Sequence, residues 1–337
     1  MIKSTKIIFF TVGIIILGLL FYSFGFEDTW HHLQQMGPKF LIIISIYFFN
    51  HLTLSWGWKI LINIPIKLKD FPQLVLARIA GDSTSSVNAL GAVAGEPLKA
   101  IYLKNLIPFK TGLASVILLR TIHTLANVLV ILTGIIVSLF VLPIPRYIIF
   151  STLILMLAAL IFLLLLLKKQ KEGFLNYVLA KIPNKIKSKI LNPARQKKID
   201  SLDQEIKHLF QNRKNLNDFY LSLFIHYFSI LISGTLEIFF IIKFSGSINN
   251  ITLTHALFIY IFGFLLTSAT FFMPANLGTS EGSYILGLKL LGYQNFAGLG
   301  LYVGIVRRLR TFFWSLIGII ILFGAGLLNK STKISAK

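Results

Sequence analysis

Two glutamates, Glu96 and Glu281, each stand behind a run of small residues and ahead of a helical stretch in a strongly apolar chain. A carboxylate in such a setting costs several kcal/mol unless it is paired or wet, so a functional role is its default reading. The first run reads Gly81-Asp82-Ser83-Thr84-Ser85-Ser86-Val87-Asn88-Ala89-Leu90-Gly91-Ala92-Val93-Ala94-Gly95-Glu96-Pro97. The second reads Pro274-Ala275-Asn276-Leu277-Gly278-Thr279-Ser280-Glu281-Gly282-Ser283. Gly91, Gly95, Pro97, Pro274, Gly278 and Gly282 are the expected backbone breaks. A Lys follows each Glu eight residues on, at Lys104 and Lys289, and an Arg further along, at Arg120 and Arg307. Arg120, His123 and Asn127 share one helix face by their spacing. Arg307, Arg308 and Arg310 form a second basic group. Guanidinium forks match phosphate oxygens, so the chemistry these residues suit is the holding of an anion. The competing reading has the arginines snorkel to an aqueous boundary. For the two glutamates, pairing with Arg120 or the 307–310 group is compatible with placement in a helical first turn, where the dipole favours negative charge. Glu237 is a third carboxylate without a nameable partner, and Asp82 reads as the cap of a helix starting near Ser85.

Other chemistries lack their residues. The chain has no Cys, which removes disulfides, thiolate nucleophiles and thiolate metal sites. Its seven His are scattered, none opens His-Glu-x-x-His, and no carboxylate-rich Mg²⁺ motif appears. No Gly-x4-Gly-Lys-Ser/Thr loop is present, so ATP is not the expected driver. The reading is therefore a non-enzyme with no metal and no cofactor.

The elements that must position these residues are membrane helices. Only 13% of the 337 residues are charged, about half of what soluble domains carry. The 33 Lys+Arg against 12 Asp+Glu lie between long apolar runs, which points to cationic cytoplasmic edges rather than to nucleic acid. A crossing helix needs about 20 apolar residues. Spans are expected over Ile7 to Phe26 (an uncleaved anchor), Phe40 to Ile64, Gly112 to Leu142, Tyr147 to Leu167, Phe219 to Ile242, Leu253 to Met273 and Leu299 to Leu328. Trp56 and Trp58 read as an interfacial anchor. Asn50-His51 read as groove-lining or as interhelical hydrogen-bonding groups.

Basic turns at 65–70 and 104–110 and the acidic 27–37 loop put the N-terminus in the cytoplasm. The 168–217 segment, with 13 Lys/Arg and 4 Asp/Glu, then falls on the same side. It suits amphipathic helices near anionic headgroups. The two interrupted stretches, 71–103 and 273–295, are expected to dip into the membrane, since broken backbone at that depth must be buried or line a wet cavity. Their correspondence suggests one membrane domain, 1–337, built of two same-direction repeats, about 7–167 and 218–328. Such paired breaks are the sequence pointer to a transport site.

These residues resemble the flippase-like family that contains the membrane domain of lysylphosphatidylglycerol synthase, with its hopanoid-associated branch looking closest. The resemblance rests on Asn88-Ala89-Leu90 followed by Gly95-Glu96-Pro97-Leu98-Lys99, on Pro274-x-x-x-Gly278-x-x-Glu281-Gly282, and on Arg307-Arg308-Leu309-Arg310 with Trp314. It covers most of the chain. Departures are Gly or Ala in place of the usual Pro of the first motif, Lys99 in place of Arg, and His123 where many members have Asp. The resemblance implies an all-α polytopic inner-membrane protein of about seven or eight spans that moves lipids or lipid-linked intermediates between leaflets. It does not imply lysyl-lipid synthesis, because the roughly ten residues after the last span are too few for a catalytic domain.

The resulting expectation is a lipid flippase or scramblase for an anionic lipid. Asn88, Glu96, Lys99, Arg120, His123, Asn276, Glu281, Arg307, Arg308 and Arg310 would line its headgroup site. The alternatives are a non-transporting partner of a lipid-modifying glycosyl- or aminoacyltransferase and, less favoured, a membrane-embedded lipid enzyme.

Overall fold

The computed structural model describes residues 30–31, 34–62, 64–87, 92–141, 193–211, 213–248, 250–270, 276–293 and 297–325, with scattered positions between 147 and 181. The expected first span, about half of the 147–167 span, and Asn88, Gly91 and Pro274 lie outside the described residues. Among the described residues there are nine α-helices and no strand. They are α1 (Phe40–Leu61), α2 (Phe71–Val87), α3 (Ala92–Tyr102), α4 (Phe109–Val141), α5 (Pro193–Gln211), α6 (Arg213–Phe244), α7 (Leu253–Ala269), α8 (Thr279–Leu290) and α9 (Ala297–Gly324). The fold is all-α, as the apolar runs require.

Three stretches, Gln34–Leu61, Phe109–Ser138 and Asn215–Phe244, are long and apolar enough to cross a membrane. They are apolar all round, the mark of a helix without a solvated face. The short helices behave differently. α2 and α3 fold back on each other, as do α7 and α8. With 17 and 11 residues in the first pair and 17 and 12 in the second, each arm is about 17–26 Å long at 1.5 Å per residue. The two helices of 71–103 thus pair as one hairpin, whereas the interrupted stretch 273–295 supplies only α8, the second arm of another. The expected span Leu253 to Met273 is the first arm of the second hairpin, and its helix ends at Ala269. Thr252 caps α7, its hydroxyl accepting from the His255 N–H at 3.2 Å.

The described residues form two compact units. One draws on the ranges 1–50, 129–153 and 228–314, and the other on 51–128, 154–227 and 315–337. In the second, Trp58, Leu74, Leu103, Ile122, Leu125 and Ile206 are fully buried. Ile206 belongs to the basic helix α5, which therefore packs into this core by one face. Asp203 of α5 turns inward to accept the Asn176 N–H at 2.9 Å. The α2–α3 hairpin closes over glycine: a Cβ on Gly95 would collide with the Gly81 carbonyl and with Ser85 Oγ. In the other unit, Ile238, Ile241, Ile242 and Ile259 are buried. There Gly300 lies against the Ile285 backbone, 2.6 Å from where its Cβ would sit. Small residues let helices approach where lipid offers no hydrophobic drive.

Trp58 corrects an expectation. Only Trp56 is exposed, its ring 4.8 Å from Lys59 Nζ. Trp58 is 0% exposed and donates from Nε1 to Ser115 Oγ at 3.1 Å. The two residues are two apart on a helix and so face different sides. Trp58→Phe should lower unfolding stability by about 1–2 kcal/mol through the lost hydrogen bond and packing. Thermal unfolding in detergent checks this, and an unchanged midpoint would contradict the core placement.

Candidate functional site

Each compact unit holds its own ion-pair constellation around one hairpin. In the unit with α2 and α3, Asp82 is the hub. It lies inside α2 rather than capping a helix near Ser85, because α2 runs unbroken from Phe71. Lys99 Nζ approaches Asp82 Oδ1 at 2.8 Å, Arg78 Nε approaches Oδ2 at 3.5 Å, and His51 Nδ1 lies 3.8 Å from the same oxygen. Arg78 and Asp82 are four residues apart, hence neighbours on one face. Arg78 also donates to the Leu54 carbonyl at 3.4 Å.

Lys99 reaches Glu96 Oε2 as well, at 3.0 Å. Its aliphatic stem lies across Gly81. Glu96 belongs to the second turn of α3, so the helix-dipole reading does not apply to it. The expected Arg120 partnership is present but loose, with Nη1 4.0 Å from Glu96 Oε1. The Arg120 side chain is 52% exposed. It is the accessible cation of this group. α3 continues through both Gly95 and Pro97, which therefore do not break the backbone.

In the other unit, Glu281 answers both of its readings. It is the third residue of α8 and accepts the Gly278 N–H at 2.9 Å. Gly278 has φ 75, a left-handed conformation that glycine adopts without strain. Here the expected break is real, whereas α8 runs on through Gly282. Arg308 grips both Glu281 oxygens, Nε on Oε1 and Nη2 on Oε2 at 3.0 Å. Arg308 Nη2 also donates to the Asn276 carbonyl and to Ser280 Oγ, each at 3.0 Å. Glu281 is 0% exposed, and Gly304 makes room for its side chain.

Glu237, for which the sequence offers no partner, has two. Arg307 Nε lies 3.1 Å from Oε2, and Arg310 Nη1 donates to Oε1. Arg307 also donates to the Tyr284 hydroxyl. Its guanidinium lies 5.5 Å from the ring centres of both Tyr260 and Tyr284, and that of Arg310 is 3.9 Å from Tyr47. The aromatic faces stabilise these buried cations through their quadrupoles. The three arginines sit in the middle of α9, about 15–20 Å from its start at 1.5 Å per residue. They therefore do not stand at the start of the helix.

Among the described residues each constellation holds three cations and two carboxylates. Arg78, Lys99 and Arg120 face Asp82 and Glu96, while Arg307, Arg308 and Arg310 face Glu237 and Glu281. Each keeps one formal positive charge in excess, which suits a monoanion. Arg78, Tyr260, Tyr284 and Tyr47 were not singled out from the sequence. The i, i+4 spacing of Arg78 and Asp82 and the i, i+3 spacing of Glu281 and Tyr284 are the signals that mark Arg78 and Tyr284, whereas Tyr260 and Tyr47 carry none. Asn50 hydrogen-bonds to Ser233 Oγ, which is the interhelical role among its two readings.

An all-α chain with long apolar helices and buried ion pairs on short hairpins is a polytopic membrane protein. The chain belongs to the family described as lysylphosphatidylglycerol synthase transmembrane region, whose family model matches residues 6–318. That match is to the family as a whole and does not select the hopanoid-associated branch. No curated protein and no solved structure is significantly similar to the chain.

Proposed function

We propose that this protein moves an anionic phospholipid or lipid-linked intermediate between the leaflets of the bacterial inner membrane, as a flippase or scramblase that does not hydrolyse ATP. Its N-terminus lies in the cytoplasm in this reading, and it is not an enzyme. The observation that carries the proposal is Arg120, a half-exposed guanidinium beside a constellation with one positive charge in excess. A lipid phosphodiester supplies the missing negative charge, and a guanidinium binds it through paired donors. Lys99 and Glu96 hold the arginine's surroundings, while acyl chains remain in lipid. Arg307, Arg308 and Arg310 supply the corresponding cations of the other unit. Membership in a lipid-related membrane family supports the same class of substrate.

The test is exchange of a fluorescent headgroup-labelled anionic lipid in liposomes, followed by dithionite quenching. Wild type is expected to accelerate exchange. Arg120→Ala is expected to slow it about tenfold or more, because a charge-assisted contact contributes about 1.5–3 kcal/mol. The same variant should unfold within about 1 kcal/mol of wild type, since its ion pair is long and solvent-screened. Wild-type liposomes no faster than empty ones would sink the proposal. The second reading, a non-transporting partner of a lipid-modifying transferase, is favoured by the closed Arg308–Glu281 grip, which suits a rigid scaffold.

A further inference from the structure

Two imidazoles, that of His226 buried and that of His123 partly buried, stand beside the Asp82 constellation and take no part in ion pairs among the described residues. His226 of α6 is 0% exposed. Its Nδ1 lies 2.8 Å from the Ser222 carbonyl and 3.5 Å from Ser222 Oγ. A carbonyl only accepts, so Nδ1 carries the hydrogen, and Nε2 of the neutral ring is left as an acceptor. That Nε2 is buried and has no hydrogen-bond partner among the described residues. The ring occupies its place because residue 57 is glycine: a Cβ there would lie 2.7 Å from both Nδ1 and Cε1. The His123 ring of α4 stands edge-on to it, with centroids 6.3 Å apart, and His123 Nδ1 is likewise buried without a partner among the described residues.

Leaving a buried polar atom unpaired is costly, and native proteins keep few such atoms without a reason. The unpartnered nitrogens of two adjacent rings, with His123 one turn along α4 from Arg120, have a shared reason in a proton. The alternative carriers are engaged. Glu281 accepts from Arg308, Gly278 and Ser280, and Glu96 is held by Lys99. The charged groups around the two rings are Arg78 and Asp82 from α2, Lys99 and Glu96 from α3 and Arg120 from α4, with His51 from α1 as the further titratable neighbour.

We propose that His226 and His123 form a proton-binding site linked to anion binding at Arg120, so that a headgroup phosphate enters together with one proton. This rests on the lipid-translocation reading above. With the site empty, three cations against two carboxylates oppose a further positive charge. A bound phosphodiester cancels the excess, and His226 Nε2 then takes a proton from water to become imidazolium, keeping its Nδ1–H on the Ser222 carbonyl. When the anion leaves, the proton returns to water. Linkage is reciprocal: if the anion favours the proton, the proton favours the anion by the same factor.

The experiment is calorimetric titration of the purified full chain in detergent with dihexanoylphosphatidylglycerol. It is run near neutral pH in two buffers of different ionisation enthalpy, which counts the protons taken up per anion bound. Wild type should take up a measurable fraction of one proton, and its affinity should weaken by up to about tenfold per unit rise in pH where the pair titrates. His226→Gln should abolish the uptake while still binding the probe. His123→Gln should reduce it, and being only partly buried it serves if the first variant does not fold. Binding without proton exchange in wild type, or uptake unchanged in the folded variants, overturns the proton site and leaves lipid translocation standing. A wild type that neither binds the probe nor exchanges lipid overturns both.

Discussion

Glu237→Ala should be the most destabilising single change among the charged residues, lowering unfolding stability by about 3–5 kcal/mol. The carboxylate is 2% exposed and satisfies two guanidiniums at once, Arg307 at 3.1 Å and Arg310. Removing it leaves two cations buried together, where they repel each other and lack their common acceptor. The tyrosine faces of Tyr260, Tyr284 and Tyr47 soften that loss but carry no negative charge to replace it. Thermal unfolding in detergent measures the effect. A Glu237→Leu, Arg307→Leu, Arg310→Leu triple variant supplies the contrast, because exchanging a whole buried ion cluster for apolar groups is often neutral or stabilising. If the triple variant is as unstable as the single one, shape rather than charge governs this site. A single variant as stable as wild type would show that the cluster is solvated.

Gly95→Val should be comparably severe, at about 3 kcal/mol or more, with loss of lipid exchange. A Cβ at this position meets the carbonyl of Gly81, a backbone atom that no rotamer change can move aside. Overpacking usually costs about 1–3 kcal/mol where side chains can yield, and here the two arms of the hairpin must separate instead. Separation also pulls Lys99 from Asp82, because the lysine stem lies across Gly81. The expected signature is therefore joint loss of stability and exchange. Gly282→Ala, at a position with open space around its Cβ, should leave both intact. Equal behaviour of the two glycine variants would contradict the close approach of α2 and α3.

The fold was legible where physics acts locally. Length and apolarity alone mark α1, α4 and α6, and the clusters of small residues mark both hairpins. The extent of the second hairpin was not legible: an apolar helix of 17 residues followed by Phe271, Phe272 and Met273 has the composition of a longer span. Site residues were legible when they combined charge with an interrupted segment, as Glu96, Lys99 and Glu281 do. Glu237 could be recognised as a buried carboxylate, but its partners are supplied by tertiary packing from far along the chain. Arg78 carries no mark of its role, because a basic residue near a basic turn reads as interfacial. Asp82 looks like a cap because Ser and Thr after it resemble a helix start. Their hydroxyls instead bond back to carbonyls four residues earlier, as Ser83 does to Ile79 at 2.7 Å and Thr84 to Ala80 at 3.0 Å. Tyr260 and Tyr284 have the residue type of ordinary membrane aromatics, and only the folded chain brings the Arg307 guanidinium between them.

The long separation of Glu237 from Arg310, 73 residues, sets an order of events during synthesis. Chains emerge from a ribosome at about 5–20 residues per second, so Glu237 waits roughly 4–15 s for its second guanidinium. Until then α6 carries an uncompensated carboxylate, and full release into hydrocarbon is opposed by several kcal/mol. Asp82 meets no such delay, since Arg78 precedes it by four residues and is made first. The constellation of the α2–α3 hairpin can therefore close on the growing chain. The one around Glu237 must await the last long helix, which makes a truncation before residue 307 a substrate for quality control rather than a smaller functional protein.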